Sequence, residues 1–413
     1  MLELGIRIFC VVARGLYFFM KLFPTGKKVT FIIREDNMPS VDVVYLREEL
    51  QNRLPDYKLV VKCRMFEGSV GAILRYLPSM LVQMFHIATS RLVILDTYCI
   101  PISILDHKPG LKVMQIWHAI GLMKKAGYAA LGREEGRNEQ IAALLRMHRG
   151  YTHILASSPA CVPAMLEVFG YGEGAPLGNR AALQEVLIRA LPRVDYLQNE
   201  AVRAEVRSKV RNAYPYFQGK KVILYAPTHR KDKAGLYEGV GQLIEAVNEA
   251  NANGGNYVLV IKFHPLQHGI VPDWPATLNT VSAAAPGIQE GSILFDTVFS
   301  AIEIGMAADA CISDYSSIVY EFMILDKPTY FFGFDLERYE RARGFCIDYQ
   351  KEVPGVVYQD SRSLLAAIAR AEYSPSRQHA FLTKYVTLDR GGSTKALADD
   401  IARIVGDDGG QEA

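Results

Sequence analysis

Each of four apolar runs in the chain is followed at once by side chains that bind anions or exchange protons. The pairs are Val113–Ile116 before Trp117-His118, Val222–Ala226 before Thr228-His229-Arg230, Tyr257–Phe263 before His264, and Ala310–Ile312 before Asp314, Ser316 and Ser317. In open α/β sheets, ligands bind outside the carboxyl ends of the strands. If these runs are parallel strands, the sequence predicts one cleft for a phosphate-bearing ligand.

Two histidines are placed for proton or charge chemistry. Imidazole titrates near working pH, so His118 can take a proton from an attacking hydroxyl. Pro265 ends its strand because proline cannot donate a backbone hydrogen bond. That puts His264 at a strand tip, where it can stabilise charge on a phosphate or protonate a leaving group. The alternatives are a buried structural histidine for His118 and a solvent-facing one for His264.

The remaining polar residues of these stretches suit an anion. Arg230 offers a planar fork of donors to phosphate oxygens, alongside Thr228, although a solvated loop charge is the alternative. A helix predicted to open at Ser316-Ser317 has free amides and a dipole that seat a phosphate. Asp314 is either part of that site or only an N-cap.

Composition excludes several classes of protein. The net charge of +2 over 413 residues argues against a dedicated nucleic-acid binder. Six scattered cysteines without a C-x-x-C pair indicate a reducing compartment, with neither zinc nor disulfides. No D-x-D pair of acids is evident beside the candidate site, so we infer no required metal or other cofactor, and metal dependence stays open.

Short apolar strands alternate with helical stretches from Lys28 onwards, which is typical of parallel sheets covered on both faces. The predicted fold class is α/β, with two doubly wound, Rossmann-like domains facing a cleft and an N-terminal amphipathic helix. The predicted boundaries are 1–27 for that helix, 28–197 for an acceptor-side domain, 198–406 for a nucleotide-binding domain with a C-terminal helix, and 407–413 for a disordered tail.

The first helix poses its own question. Leu2–Phe23 is apolar and about long enough to cross a bilayer, but Arg7, Arg14 and Lys21 recur every seven residues as a charged stripe. A central arginine is costly in hydrocarbon, so a spanning helix is disfavoured. We predict a helix lying in the membrane interface with its basic edge on lipid phosphates. The alternative is a helix docked on the protein's own core.

Seven short motifs occur in a fixed order: WHA at 117–119, YAPTHR at 225–230, KFHP at 262–265, SDYSSIVYEF at 313–322, DKP at 326–328, RGF at 343–345 and GGST at 391–394. Together they resemble the CDP-glycerol glycerophosphotransferase family of teichoic-acid synthesis. The resemblance covers roughly Lys112 to Thr394. It implies the glycosyltransferase-B arrangement of the two domains.

The resemblance also implies roles for single residues. His118 matches the histidine held to be the family's catalytic base, although Ala119 replaces the usual glycine after it, and His264 matches a second essential histidine. Further implied donor contacts are the amides and hydroxyls of Ser316 and Ser317 on the pyrophosphate, Glu321 on the ribose or cytidine, and Arg343 on a phosphate.

Two further pairs of residues have both a functional and a purely structural interpretation. Ser393 and Thr394 open the last helix and can offer amides to an anion, or simply cap that helix. Lys124 and Lys125 can contact a polyanionic acceptor or lipid headgroups, or form a solvated turn. The sequence does not decide between these interpretations.

The expected activity is transfer of glycerol phosphate from CDP-glycerol to a hydroxyl of a membrane-linked acceptor, such as a polyprenyl-diphosphate saccharide or a teichoic-acid chain, with release of CMP. The enzyme would act peripherally at the cytoplasmic face of the cell membrane. CDP-ribitol is the alternative donor. Glycosyl transfer from a nucleotide sugar in capsule synthesis and a non-catalytic scaffold are the alternatives of other classes.

Overall fold

Twelve strands lie in the residues that the computed structural model describes, which are 2–65, 70–172, 182–264, 292–389 and 392–406. They are β1 Lys28–Ile33, β2 Lys58–Cys63, β3 Leu92–Leu95, β4 Lys112–Gln115, β5 His153–Ala156, β6 Glu185–Ile188, β7 Lys221–Tyr225, β8 Tyr257–Ile261, β9 Ile293–Phe295, β10 Ala310–Ser313, β11 Thr329–Phe332 and β12 Val357–Tyr358. The order is β2-β1-β3-β4-β5-β6 in one sheet and β12-β11-β10-β7-β8-β9 in the other.

The helices of the described ranges alternate with these strands. They are α1 Leu2–Met20, α2 Val41–Arg53, α3 Val70–Ala88, α4 Ile100–Ile104, α5 Glu139–Leu144, α6 Val162–Phe169, α7 Arg193–Gln198, α8 Glu200–Ala213, α9 Lys233–Ala252, α10 Ala301–Ala307, α11 Ile318–Ile324, α12 Leu336–Ala342, α13 Tyr349–Glu352, α14 Ser361–Ala369, α15 Pro375–Tyr385 and α16 Ser393–Gly406.

Both sheets are parallel because their central strands are apolar on both faces. Every residue of β3 and of β11 is buried, which requires cover on both sides of the sheet. Each sheet reverses its strand order once, between β1 and β3 in the first and between β10 and β7 in the second. Such reversals are where open α/β sheets bind ligands, outside the carboxyl ends of the strands. The predicted pair of doubly wound α/β domains is confirmed.

The chain divides into two compact units. The first domain contains Met1–Tyr196 together with Tyr385–Ala413, and the second contains Leu197–Lys384. The chain passes into the second domain after Tyr196, next to the boundary predicted at 197. The C-terminal helix does not follow the prediction, because α16 belongs to the first domain and not to the 198–406 domain in which we placed it. The predicted tail, 407–413, lies outside the described residues.

The packing of α16 explains the correction. Its apolar residues Leu397, Ile401 and Val405 are buried against the first domain, where α2 is its main helical neighbour. Ion pairs tie the helix to the same domain, with Asp399 2.7 Å from Arg53 and Asp400 2.9 Å from Arg189. The apolar stripe of a helix predicts that it packs, but not which domain it packs on.

The helix α1 is present, but its predicted orientation on a membrane needs correction. Its charged stripe faces the protein: Arg14 donates to the carbonyl of Ile104 at 3.0 Å, and Lys21 donates to the carbonyl of Asp106 at 3.1 Å. Arg7 is exposed and pairs with Glu3 at 2.8 Å. The two basic residues nearer the end of the helix therefore bind backbone carbonyls of the protein.

The apolar side of α1 faces outward. Its exposed members, with those of the residues that follow, are Leu4, Ile8, Val11, Val12, Leu16, Phe18, Phe19, Leu22 and Phe23. Leu81, Val82 and Phe85 of α3 are also exposed, and Phe23 contacts Phe85 edge-on with ring centroids 5.4 Å apart. We call these twelve residues the α1–α3 apolar surface. Among the described helices, none is long and apolar enough to cross a membrane.

Candidate active site

In the first domain, polar residues meet at the carboxyl ends of three adjacent strands. Glu35 follows β1, Asp96 follows β3 and His118 follows β4. Nδ1 of His118 lies 3.2 Å from the backbone oxygen of Asp96 and 3.8 Å from Oε1 of Glu35. A carbonyl oxygen only accepts, so Nδ1 carries the proton and Nε2 keeps its lone pair. This tautomer is the one that a general base requires.

The turn that carries His118 is held in an unusual conformation. Trp117 has φ 64°, a left-handed value that is rare for a bulky residue and persists only when its surroundings enforce it. The buried amide of Gln115 does so, because its Oε1 accepts from the Trp117 amide at 2.9 Å. Its Nε2 donates to the carbonyl of Thr97 and to the hydroxyl of Tyr151. The turn is thus fixed from within the sheet.

The loop after His118 is held by a second strand end. The Gly121 amide donates to Oγ of Ser157 at 3.1 Å, and that hydroxyl donates to the carbonyl of Tyr385 at 2.9 Å. Lys124 and Lys125 follow in this loop and are half-buried, with Lys125 3.8 Å from Glu167. Their predicted contact with an acceptor or lipid stays a prediction.

Burial raises the pKa of the Asp96 carboxyl to about 6; nearby His118 lowers it and Glu35 raises it. The carboxyl accepts from the Thr97 hydroxyl at 3.0 Å and from the Arg34 amide at 3.3 Å. Its side chain is therefore engaged in holding the loop ends, while its backbone oxygen orients His118.

In the second domain, Arg230 and Asp314 follow the neighbouring strands β7 and β10, but they bind each other. The buried guanidinium lies 2.8 Å from Asp314 and also pairs with Asp335, which follows β11. The rings of Phe334 and Tyr339 each lie 5.0 Å from Cζ. Arg230 is thus not the alternative solvated charge, and its predicted contact with a phosphate stays a prediction.

Opposing effects act on the Arg230 guanidinium. Burial alone would lower its pKa, but Asp314 and Asp335 raise it above the usual value. The cation is therefore held firmly in its charged form by two buried carboxylates. We call Arg230, Asp314 and Asp335 the buried triad.

Asp314 organises the turn after β10. Its Oδ1 accepts from the amides of Thr228 and Tyr315, each at 2.7 Å, and the Thr228 hydroxyl accepts from the Tyr315 amide at 3.2 Å. Asp314 therefore joins the loops that follow β7 and β10. It does not cap the helix, because α11 begins at Ile318, two residues later than predicted.

Ser316 and Ser317 precede α11 and are half-buried, and the Ser317 side chain makes no capping hydrogen bond. Glu321 lies within α11 and is buried. Arg343 ends α12 and is half-buried, just before Gly344, whose φ of 80° makes the sharp turn. Their predicted contacts with a nucleotide stay predictions.

His264 is half-buried, and its ring meets that of His229 edge-on with centroids 5.5 Å apart. Lys262, two residues earlier, is buried and pairs with Asp296 at 2.9 Å. Thr228, Arg230, Asp314 and His264 thus follow the three adjacent strands β10, β7 and β8, as the sequence pattern predicted. His229 was left out of the predicted set, yet it is the ring against His264.

Ser393 and Thr394 lie apart from that group, in the first domain. Their amides donate to the carboxylate of Asp195, each at 2.8 Å, and both side chains are buried. An internal carboxylate therefore occupies the start of α16, which corrects the prediction that these amides bind the substrate. Gly391 of the same motif lies outside the described residues.

Sequence reasoning missed Glu35, Asp96 and Asp335. All three obey the pattern that found the others, since each follows a buried apolar strand within three residues. Applying that pattern to every strand, and not only to those that precede histidine, arginine or serine, would have found them.

Comparison with known proteins identifies a family model and several related enzymes. The model of the CDP-glycerol:poly(glycerophosphate) glycerophosphotransferase family matches residues 16–403. The teichoic acid ribitol-phosphate primase of Bacillus spizizenii is 28% identical over 346 residues, 83% of this chain and 82% of that protein. The teichoic acid glycerol-phosphate primase of Bacillus subtilis is 26% identical over 407 residues, covering 94% and 95%.

A solved structure supports the fold. The wall teichoic acid polymerase TagF superposes with a TM-score of 0.68 over 98% of this chain and 97% of the solved chain, at 17% identity. This likeness confirms the glycosyltransferase-B fold class. Since the family model spans nearly the whole chain, the chain belongs to the CDP-glycerol:poly(glycerophosphate) glycerophosphotransferase family, a family of transferases of teichoic-acid synthesis.

Proposed function

We propose that this transferase moves glycerol phosphate from CDP-glycerol to a hydroxyl of a membrane-linked acceptor and releases CMP. The observation that carries the proposal is the contact of His118 Nδ1 with the Asp96 carbonyl at 3.2 Å, in a chain that the family model matches over residues 16–403. A histidine with its Nδ1 proton held and its Nε2 available is equipped to take the proton of an attacking alcohol.

The transfer conserves atoms and charge without a cofactor. The acceptor oxygen attacks the β-phosphorus, the new P–O bond forms, and the bond from that phosphorus to the bridging oxygen of CMP breaks. Nε2 of His118 takes the hydroxyl proton, and the electron pair of the broken bond leaves on CMP. Catalysis of phosphoryl transfer rests mainly on positioning and charge stabilisation.

The second domain supplies the groups that would hold the donor. His264, backed by the His229 ring, is proposed to stabilise the charge of the transferring or leaving phosphate. Ser316, Ser317 and Arg343 are half-buried, and we propose that they contact the pyrophosphate. Thr228 and Glu321 are buried, so they would contact the donor only from the floor of its site. The buried triad would position the loops that carry these groups.

CDP-ribitol is a second candidate donor. The teichoic acid ribitol-phosphate primase of Bacillus spizizenii is 28% identical to this chain, against 26% for the glycerol-phosphate primase of Bacillus subtilis. The two polyols differ by two carbons and two hydroxyls, and the residues proposed above would contact the phosphates and the nucleoside, which both donors share. The choice between the donors is therefore left to experiment.

The test is CMP release by the purified full chain with CDP-glycerol, CDP-ribitol or UDP-sugars, each with and without a detergent-solubilised undecaprenyl-diphosphate disaccharide that bears glycerol phosphate. We expect acceptor-dependent CMP release with CDP-glycerol. Release with CDP-ribitol alone would change the donor and keep the reaction. Release of UDP from a sugar nucleotide, or calorimetry that detects no binding of either CDP-alcohol, would refute the proposal.

We further propose that the α1–α3 apolar surface rests on the cytoplasmic leaflet, where a lipid-linked acceptor is presented. Twelve exposed apolar side chains, on two neighbouring helices and on the residues just after the first of them, exceed the scattered apolar residues of an ordinary surface. Arg14 and Lys21 bind backbone carbonyls, so the contact with lipid would be made by the apolar side chains. The basic edge contributes only through Arg7.

Placing negative charges on the α1–α3 apolar surface should weaken binding to vesicles. Val11 and Phe19 are 67% and 65% exposed, and we expect the double change Val11→Glu/Phe19→Glu to weaken vesicle partitioning by at least about tenfold. Co-sedimentation with phosphatidylglycerol–phosphatidylethanolamine vesicles measures it. The control is Val298→Glu, at a 74% exposed valine of the second domain, which should partition as wild type does. Equal partitioning of all three proteins would contradict a membrane role for this surface.

A further inference from the structure

Glu35 is a carboxylate beside the candidate base that no motif identified. It comes from the loop after β1, whereas His118 comes from the loop after β4, so the fold brings the two together across the β1–β3 strand reversal. Oε1 lies 3.8 Å from Nδ1 of His118. The two side chains are 32% and 33% exposed, so water screens their attraction only in part.

Resting on the proposed function, we propose that Glu35 is a positioning residue of the transfer step. Its carboxylate stabilises the imidazolium that forms when Nε2 of His118 takes the acceptor's proton. The Asp96 carbonyl orients the ring, since it is the atom at hydrogen-bond distance, and Glu35 supplies the negative charge. In the acid–histidine pairs of other enzymes, one carboxylate both orients the imidazole and stabilises its charge. Here these two tasks would fall to different residues.

Asp96 supplies a second negative charge, but a less direct one. Its carboxyl is bonded to the Thr97 hydroxyl and the Arg34 amide, and only its backbone oxygen meets the His118 ring. Because burial raises its pKa to about 6, this carboxyl is ionised at pH 7 but becomes neutral in mild acid. Glu35 is therefore the carboxylate whose own oxygen approaches the imidazole.

Among the described residues, Arg34, Asp36 and Cys63 are further charged or titratable neighbours of this region. The Arg34 guanidinium donates to the Tyr98 carbonyl and lies 5.5 Å from the Tyr76 ring. Asp36 is exposed and accepts from the Met38 amide at 3.1 Å. Burial, then Asp96 and Asp36, raise the pKa of the Cys63 thiol to about 11, so it is neutral at pH 7.

The first test measures the interaction of Glu35 with His118 without any substrate. In protein labelled at histidine Cε1, the His118 resonance is assigned by its loss in His118→Gln and is followed from pH 5 to 9. We expect the protonation midpoint of His118 to fall by about 0.5–1 pH unit in Glu35→Gln and to return partly in Glu35→Asp. The matched control, Asp36→Asn, removes a charge one residue away and should shift the midpoint by far less.

A midpoint that stays the same in Glu35→Gln, or that falls as much in Asp36→Asn, would overturn the proposal. This outcome is separate from the fate of the proposed function. If no CDP-alcohol supports transfer, the reaction is refuted, while the resonance still reports whether Glu35 acts on His118.

The second test uses the active enzyme. Glu35→Gln should lower kcat by about 3–10-fold near neutral pH with little change in KM for the donor. The acidic limb of the kcat profile should move to lower pH with the resonance, and Glu35→Asp should recover part of the rate. A rise in KM at constant kcat would instead make Glu35 a binding residue and would overturn its role toward the base.

Discussion

Replacing His118 with alanine should lower the turnover number by about 10²–10⁴-fold, because that is the usual contribution of a general base. The effect should fall on kcat for acceptor-dependent CMP release. Binding of the CDP-alcohol, measured by calorimetry, should persist because the proposed donor groups lie in the second domain. The loss of rate is the largest single effect that we expect from one substitution.

Stability separates a chemical role for His118 from a structural one. The side chain is 33% exposed, so its removal creates no closed cavity, and the hydrogen bond that is lost is the one to the Asp96 carbonyl. The Trp117 turn is held by Gln115, which the substitution leaves in place. We therefore expect the urea midpoint to change little. His379→Ala, at an exposed histidine of α15, is the matched control and should keep both rate and stability.

Two outcomes would contradict this assignment. Wild-type turnover in His118→Ala would show that another group takes the proton. A large loss of stability that accompanies the loss of rate would show that the ring mainly supports the turn. Full activity in His379→Ala would confirm that removing a histidine is not harmful in itself.

The sheets could be predicted from the sequence because their strands carry the information locally. A run such as Leu92–Leu95 is apolar at every position, and only a strand covered on both faces accommodates it. Polar residues directly after such runs had to lie at one edge of a parallel sheet. That reasoning placed His118 in one domain and Thr228, Arg230, Asp314 and His264 in the other.

Contacts between residues that are far apart in the sequence could not be predicted in the same way. Arg230 looks like a phosphate ligand in isolation, and only the fold reveals that Asp314 and Asp335, more than 80 residues away, neutralise it. The start of α16 looks like an anion site, and only the fold reveals that Asp195 fills it. A motif names the side chains that can bind an anion, but not whether the protein supplies that anion itself.

The orientation of α1 could not be predicted from the sequence for the same reason. Its sequence fixes the faces of the helix, with Arg14, Tyr17 and Lys21 on one side. We expected the basic face to meet lipid, yet Tyr17 is buried with its hydroxyl 2.9 Å from His107, and the two cations bind carbonyls. Backbone carbonyls at the end of α4 and just after it accept hydrogen bonds from these cations, and a sequence pattern cannot reveal such a distant partner.

Replacing Arg230 with methionine should destabilise the second domain by about 3–5 kcal/mol, the usual cost of breaking a buried ion pair from one side. Two buried carboxylates, Asp314 and Asp335, would then lose the cation between them, and Asp335 would keep its contact with Arg338. Hydrogen exchange of β7 and β10, followed by mass spectrometry, measures the local effect, since one unfolding midpoint does not describe two domains. Exchange in the first domain should be unchanged.

Arg338 provides a matched control because it contacts the same carboxylate from the surface. Its guanidinium lies 3.2 Å from Asp335 and 2.9 Å from Glu238 and is 47% exposed. Exposed pairs contribute about 0–1 kcal/mol, so Arg338→Met should be mild. The double change Arg230→Met/Asp335→Asn should recover part of the stability lost in Arg230→Met, because it removes one of the two facing charges. A different outcome would contradict this structural role: Arg230→Met could be as mild as Arg338→Met and yet abolish binding of the CDP-alcohol. In that case the guanidinium binds the donor directly, as the sequence pattern predicted.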